Sequence, residues 1–147
     1  RGFDVTGVDF APTAIKRAQR KAQAAGVQIH FVVDDLTDLR HVAGRFGFLV
    51  DYGAFHSLGL RGRDRYHESV LQLTEPGSQL LLWCFEWPQR WWERLIPFYP
   101  GPPRPGDIER RFQDDFMVER IAGTAAYWLS GFAAYLLTRM APSCRDI

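Results

Sequence analysis

Apolar runs that end in carboxylates recur early in this chain: Val5-Thr6-Gly7-Val8 before Asp9, Ile29-His30-Phe31-Val32-Val33 before Asp34 and Asp35, and Phe46-Gly47-Phe48-Leu49-Val50 before Asp51. In open α/β sheets ligands sit at the carboxyl ends of strands, where an acid can accept two hydrogen bonds from ribose hydroxyls. Charge-assisted bonds of that kind contribute roughly 1.5–3 kcal/mol each. Asp9 is a candidate for this role. Pro12 follows at a first-turn position, however, so Asp9 as the cap of the next helix is an equal reading. His56 is the one histidine at a strand's carboxyl end; His30 lies within a strand, His41 in a connection and His67 in a helix. A neutral imidazole there can take a proton from an oxygen or nitrogen nucleophile. The alternative is a hydrogen-bonded structural histidine. The histidines and cysteines show no metal-ligand spacing, so no metal is expected.

The elements that would position these groups alternate. Phe3 to Asp9 reads as a strand, and Thr13 to Ala25 as a helix whose Ala14, Ile15, Ala18, Ala22 and Ala25 keep helical spacing, stopped by Gly26. Val27 to Val33 is a second strand, Leu39 to Arg45 a short helical connection, and Phe46 to Val50 a strand apolar enough to be buried on both faces. Tyr66, Val70, Leu71 and Leu73 stripe a helix over Asp64 to Thr74, stopped by Pro76-Gly77. Gln79 to Phe85 is a fourth strand. The order argues for a doubly wound α/β sheet.

From Glu86 to Gly106 the composition shifts to aromatic and proline-rich, with Trp87, Trp91, Trp92 and Tyr99 among six prolines, and a loop or lid is expected. A short charged helix follows from Asp107 to Phe116, then a strand from Met117 to Ala122. Leu129, Phe132, Ala133, Leu136, Leu137 and Met140 have helical spacing. Gly123, Gly131 and the aromatic content instead favour a β-hairpin with its return strand at Ala133 to Met140.

The 147 residues suit one domain, with 46% hydrophobic and 14% aromatic content, enough for a packed core. A net charge of +1 gives no reason to expect a nucleic-acid partner. Two cysteines make no disulfide framework, and a reduced, cytoplasmic setting fits them best. No stretch is long and apolar enough to span a membrane, and no basic amphipathic helix accompanies the tryptophans.

Val5-Thr6-Gly7-Val8-Asp9-Phe10-Ala11-Pro12-Thr13-Ala14-Ile15, Phe31-Val32-Val33-Asp34-Asp35-Leu36 and Phe48-Leu49-Val50-Asp51-Tyr52-Gly53-Ala54-Phe55-His56-Ser57-Leu58 together resemble successive motifs of class I S-adenosylmethionine-dependent methyltransferases. The likeness is to small-molecule enzymes of the thiopurine and tellurite-resistance kind, from Gly2 to about Met140. It implies a Rossmann-like doubly wound sheet with a C-terminal antiparallel hairpin, and S-adenosylmethionine as cofactor. It implies that Asp9 binds the ribose hydroxyls and Phe10 packs on the adenine. Asp35, with Leu36 beside it, would accept from the adenine amino group, and Asp51 and Tyr52 would lie against the methionine end. One departure is large: the family's first strand and the glycine-rich loop after it have no counterpart in this chain.

The sequence after the third strand, Asp51-Tyr52-Gly53-Ala54-Phe55-His56, differs from the Asn/Asp-Pro-Pro-Tyr/Phe motif of base-amino methyltransferases, which with the near-neutral charge argues against DNA or RNA as substrate. Phe55, Trp87, Trp91 and Trp92 are placed at the side of a small apolar or planar acceptor, methylated on sulfur, oxygen or nitrogen, with His56 as base where one is needed. The rings of the aromatic segment could equally fill a core flank or an interface. Two other classes stay open. One is an NAD(P)-dependent Rossmann reductase, which predicts no terminal antiparallel hairpin and no fixed role for Asp35. The other is a degenerate, non-catalytic binding or assembly module. The absent strand belongs at the centre of the sheet, beside Val5–Asp9 and Phe46–Val50. Upstream residues could supply it, a second copy could pair with the open edges as a homodimer, or the two strands could close on each other. As written, the chain is expected to bind cofactor weakly or not at all.

Overall fold

The computed structural model describes residues 2–87, 101, 103–123 and 131–142. The chain divides into two compact units, Arg1–Gly44 and Arg45–Ile147.

The first unit is a strand–helix–strand element. β1 (Thr6–Asp9) pairs in parallel with β2 (His30–Val33), in the register Thr6 to His30 and Asp9 to Val33. Between them runs α1 (Pro12–Ala24). Pro12 fits the first turn because its missing N–H would have no intrahelical acceptor there. Ile15 and Ala22 turn inward, while Lys16, Arg17, Arg20 and Lys21 face water. Gly26, at φ +65°, follows the helix end, and the N–H of Val27 returns to the Ala22 carbonyl. Gly7 lies where an added Cβ would meet the Phe31 ring at 2.9 Å, so the strand pair requires glycine at that point.

The expected helix over Leu39 to Arg45 does not form. Asp34 explains this. Its buried carboxylate accepts from the N–H groups of Arg40, His41 and Val42, at 2.8–3.2 Å, as well as from its neighbour Asp35. Those donors are drawn to a side chain, and the segment wraps around the acid instead of coiling.

The second unit is a four-stranded sheet in the order β3-β4-β6-β5, built from β3 (Phe48–Tyr52), β4 (Gln79–Glu86), β5 (Phe116–Gly123) and β6 (Gly131–Arg139). β3 and β4 are parallel, whereas β6 runs antiparallel to both β4 and β5. The antiparallel reading of the C-terminal segment therefore holds. β-Branched, aromatic and glycine content outweighs the helical spacing there, because β6 sits between two strands that cover both its edges. Connecting β3 to β4 are a 3-10 turn (Phe55–Ser57) and α2 (Leu60–Leu73), and α3 (Asp107–Phe112) precedes β5.

One sheet face carries Leu80, Leu82, Cys84, Ala133, Tyr135 and Leu137, all buried with Tyr66, Val70 and Leu73 of α2 and Ile108 and Phe112 of α3. Phe55, Phe112 and Phe116 form a chain of tilted ring contacts through this core. At its edge Glu86, 4% exposed, takes a hydrogen bond from the Tyr135 hydroxyl and an ion pair from Arg120 at 3.0 Å. The opposite face leaves Phe48, Val50, Tyr52, Phe85 and Phe132 exposed, so β3 is not the strand buried on both faces that its composition suggests. Among the described residues it is an edge strand. β1 likewise belongs to another sheet, so the two strands have not closed on each other.

Candidate functional site

Each unit holds part of the expected site. In the first, Asp9 ends β1, and its Oδ1 accepts from the N–H of Ala11 at 2.8 Å. The helix cap itself is Ala11, whose side chain offers nothing. Asp9 therefore braces the turn with one oxygen and leaves Oδ2 without a partner among the described residues. Phe10 follows at once, 78% exposed. Asp35 is exposed and spends Oδ1 on the backbone and hydroxyl of Thr37, both at 2.8 Å, with Leu36 half-buried beside it.

Asp34 was given no separate role in the sequence reading. Burial alone pushes its carboxyl up, but the backbone donors around it win and bring it down to about 2. The signal was present: of two adjacent acids after a strand, alternation turns one of them inward.

In the second unit the site grows from the end of β3. Asp51 is buried, and its oxygens accept from the N–H of Ala54 at 2.7 Å and of Phe55 at 3.0 Å. The buried Tyr66 phenol feels the same charge. Burial, then the Asp51 charge, hold that phenol far above its ordinary range. Asp51 thus fixes the turn that carries the following residues. Gly53 completes the turn at φ +96°, and a Cβ there would meet the His56 ring at 3.0 Å.

Two neighbours in sequence then part company. Phe55, expected at the acceptor's side, is 0% exposed and packs edge-on against Tyr66 at 5.3 Å; it is a core side chain. The tight turn that lifts His56 out sends Phe55 in. Tyr52 points the other way, 79% exposed, and stacks on Trp83 at 4.7 Å and 14°. Trp83 in turn stacks over Phe132 at 5.9 Å, and Phe85 meets it edge-on at 4.9 Å. The cross-strand register sets this row, since Tyr52 lies opposite Trp83 and Phe85 opposite Phe132. Sequence reading did not single out Trp83 or Phe132; the alternation of β4 and β6 against Tyr52 was the available signal.

His56 borders the row, its ring 5.2 Å from that of Phe85. The N–H of Phe85 reaches its Nδ1 at a long 3.5 Å. Burial lowers its pKa; Asp51 opposes this and the Arg63 charge adds to it, so the ring is neutral at neutral pH. Trp87 is partly exposed, and its backbone N–H donates to the Pro103 carbonyl at 3.0 Å. Trp91 and Trp92, like most of the 86–106 segment, lie outside the described residues. Cys84 is no nucleophile, because burial pushes its thiol up to about 12. No metal-ligand cluster and no helix long and apolar enough to cross a membrane occur among the described residues.

Comparison with known proteins fits these features. The sequence profile of the methyltransferase-domain family matches residues 1–77. A 2-heptyl-1-hydroxyquinolin-4(1H)-one methyltransferase of Mycobacteroides abscessus is 33% identical over 87 residues, covering 58% of this chain and 38% of that protein. The chain spans 38–58% of the length of the curated relatives it matches. Among solved structures, a TehB-like methyltransferase of Corynebacterium glutamicum superposes with a TM-score of 0.65 at 16% identity, over 94% of this chain and 69% of that one. Magnesium protoporphyrin IX methyltransferase of Synechocystis does so with a TM-score of 0.69 at 18% identity, over 94% and 60%. These likenesses show the Rossmann-like class I fold, and the terminal antiparallel pair is the feature that the reductase alternative lacks. With more than half of its length matched by the family profile, the chain belongs to the class I S-adenosylmethionine-dependent methyltransferases.

Proposed function

We propose that this chain binds S-adenosylmethionine and transfers its methyl group to a small planar acceptor. The cofactor supplies an electrophilic methyl on a positively charged sulfur, which a lone pair of the acceptor displaces. The residues present fit its nucleoside end. Asp9 keeps Oδ2 for the ribose hydroxyls, Phe10 offers an exposed ring to the adenine, and Asp35 has an oxygen left for the exocyclic amino group beside Leu36. At the methionine end Asp51 acts by holding the turn, while Tyr52 is the side chain that remains open to a ligand.

The observation that carries the acceptor class is the exposed row Tyr52–Trp83–Phe132 with Phe85 and His56 at its border. Offset-stacked rings favour a flat, conjugated guest. Relatives named for a hydroxyquinolone and for a porphyrin, both planar, support the same class. His56 takes the proton released when an O–H or N–H acceptor is methylated, at Nδ1, whose contact with Phe85 is long enough to yield. A thiolate acceptor needs only alignment. Trp87, Trp91 and Trp92 are assigned to the acceptor side from the sequence alone. The edge of β3, unpaired among the described residues, further suits pairing with a second copy as a homodimer.

Calorimetry tests the cofactor assignment, on this chain and on a version extended upstream with a relative's glycine-rich loop. S-adenosylhomocysteine should bind the extended version and NAD neither. Absence of S-adenosylhomocysteine binding in both would overturn the reading.

A further inference from the structure

Arg63 of α2 is a core side chain, only 3% exposed. Its Nη2 donates to the Gly101 carbonyl at 2.7 Å, and its guanidinium lies 5.6 Å from the centre of the buried Phe55 ring. The Asp107 charge of α3 favours the cation, and an arginine stays charged even where burial opposes it. An apolar side chain of similar length would fill the place at a lower desolvation cost. What the guanidinium adds is a rigid, planar donor of fixed reach.

The two groups it joins both lead to His56. Phe55 is the residue before His56, in the turn that Asp51 holds through the N–H groups of Ala54 and Phe55. Gly101 stands two positions before the buried Pro103, whose carbonyl accepts from the Trp87 backbone N–H at 3.0 Å. Trp87 follows β4 directly, and within β4 the Phe85 N–H reaches His56 Nδ1 at 3.5 Å. By chain and by contact, a circuit therefore runs from His56 through Phe55, Arg63, Gly101, Pro103 and Trp87 to Phe85 and back to the imidazole. Arg63 is its link to α2.

We infer that Arg63 is a positioning residue for His56: laid against Phe55 and tied to Gly101, it fixes the turn that presents the imidazole at the border of the aromatic row. Its bearing on methyl transfer rests on the reading of His56 as the proton acceptor; the strap itself does not. The charges that act on the imidazole are Asp51, at the end of β3, and Arg63, from α2, while β4 offers it the rings of Trp83 and Phe85 and the Phe85 N–H. Burial lowers the His56 pKa, Asp51 opposes this and Arg63 adds to it. The guanidinium that holds the turn thus also favours the neutral ring, the form that can take a proton.

Nuclear magnetic resonance on this chain, without cofactor or acceptor, tests the strap apart from methyl transfer, with the His56 signals assigned by their loss in His56→Gln. Arg63→Met removes charge and donor, Arg63→Gln removes the charge and shortens the donor, and Arg63→Lys keeps the charge but loses the planar face. In the Met and Gln variants the His56 titration should move up toward 6.5. The Phe85 amide should exchange with solvent at least about fivefold faster than in the parent, while Leu80 and Leu82 of the same strand keep their rates. Arg63→Lys should bring the titration back toward the parent's without restoring Phe85 protection, which separates the charge from the tether. Should Arg63→Met fail to fold, Arg63→Gln carries both readings. Unchanged Phe85 exchange in Arg63→Gln would overturn the assignment, as would an unmoved His56 titration. Exchange that quickens equally along all of β4 would also overturn it, because Arg63 would then stabilise the core without placing His56.

Discussion

At the scale of single residues, an acid's partners decide what it can do, and the four acids at strand ends differ in this respect. Asp34 and Asp51 spend their oxygens on the protein's own backbone, whereas Asp9 and Asp35 each keep one oxygen open. Asp9→Ala in the extended version should therefore weaken S-adenosylhomocysteine binding by on the order of 2–4 kcal/mol, measured by calorimetry. An affinity within about twofold of the parent would leave Asp9 only its brace on Ala11. For an oxygen or nitrogen acceptor, His56→Gln should lower turnover roughly 10²-fold with little change in cofactor affinity. The lowered pKa of His56 places the acid limb of that rate profile below 6.5, because only the neutral ring accepts a proton. The strand-end acids were legible as a set, but their division into structural and open members was not. That division depends on which backbone N–H groups each side chain meets, and the sequence does not display them.

At the scale of elements, the loop around Asp34 takes the place of the helix expected over Leu39 to Arg45. Asp34→Ala removes the acceptor of the part-buried N–H groups from Arg40 to Val42 and should cost on the order of 1–3 kcal/mol, read from urea unfolding. Its folded pKa lies below the ordinary 3.8, so this stabilisation is fully present above 3.8 and is lost as pH falls through about 2. His67 adds an earlier loss. Burial lowers its pKa, against the pull of Asp115 at 3.2 Å, so the folded state prefers the neutral ring. Unfolded chains then bind more protons just below pH 6.5, and stability should decline as pH drops from 6.5 toward the folded value. Thermal melts between pH 7 and 5 check this, and His67→Phe, which keeps the ring beside Phe112, should flatten the slope. Strand and helix positions followed from apolar periodicity, whereas the C-terminal antiparallel strand followed from glycine and aromatic content against a helical spacing. The missing 39–45 helix followed from neither, because one buried side chain captured donors that a helix needs.

At the scale of the whole chain, each sheet ends on strands with unpaired edges among the described residues, and β3 adds an apolar face through Phe48 and Val50. Such edges recruit other strands. Light scattering should find the chain dimeric or larger, and Val50→Lys on β3 should shift it toward monomer without unfolding it. A monomeric parent would show that the edge is protected in solution.

The row across β3, β4 and β6 also has an optical consequence. Trp83 lies in van der Waals range of Tyr52 on one side and is stacked toward Phe132 on the other, so light absorbed by the tyrosine passes to the indole with little loss. A conjugated guest laid on the same row would drain that excitation in turn. The protein thus carries its own unlabelled reporter of occupancy: the tyrosine-sensitised part of its emission should fall as the acceptor seats, and Tyr52→Phe should lower that component, one of five tyrosines being lost, while leaving the direct indole signal.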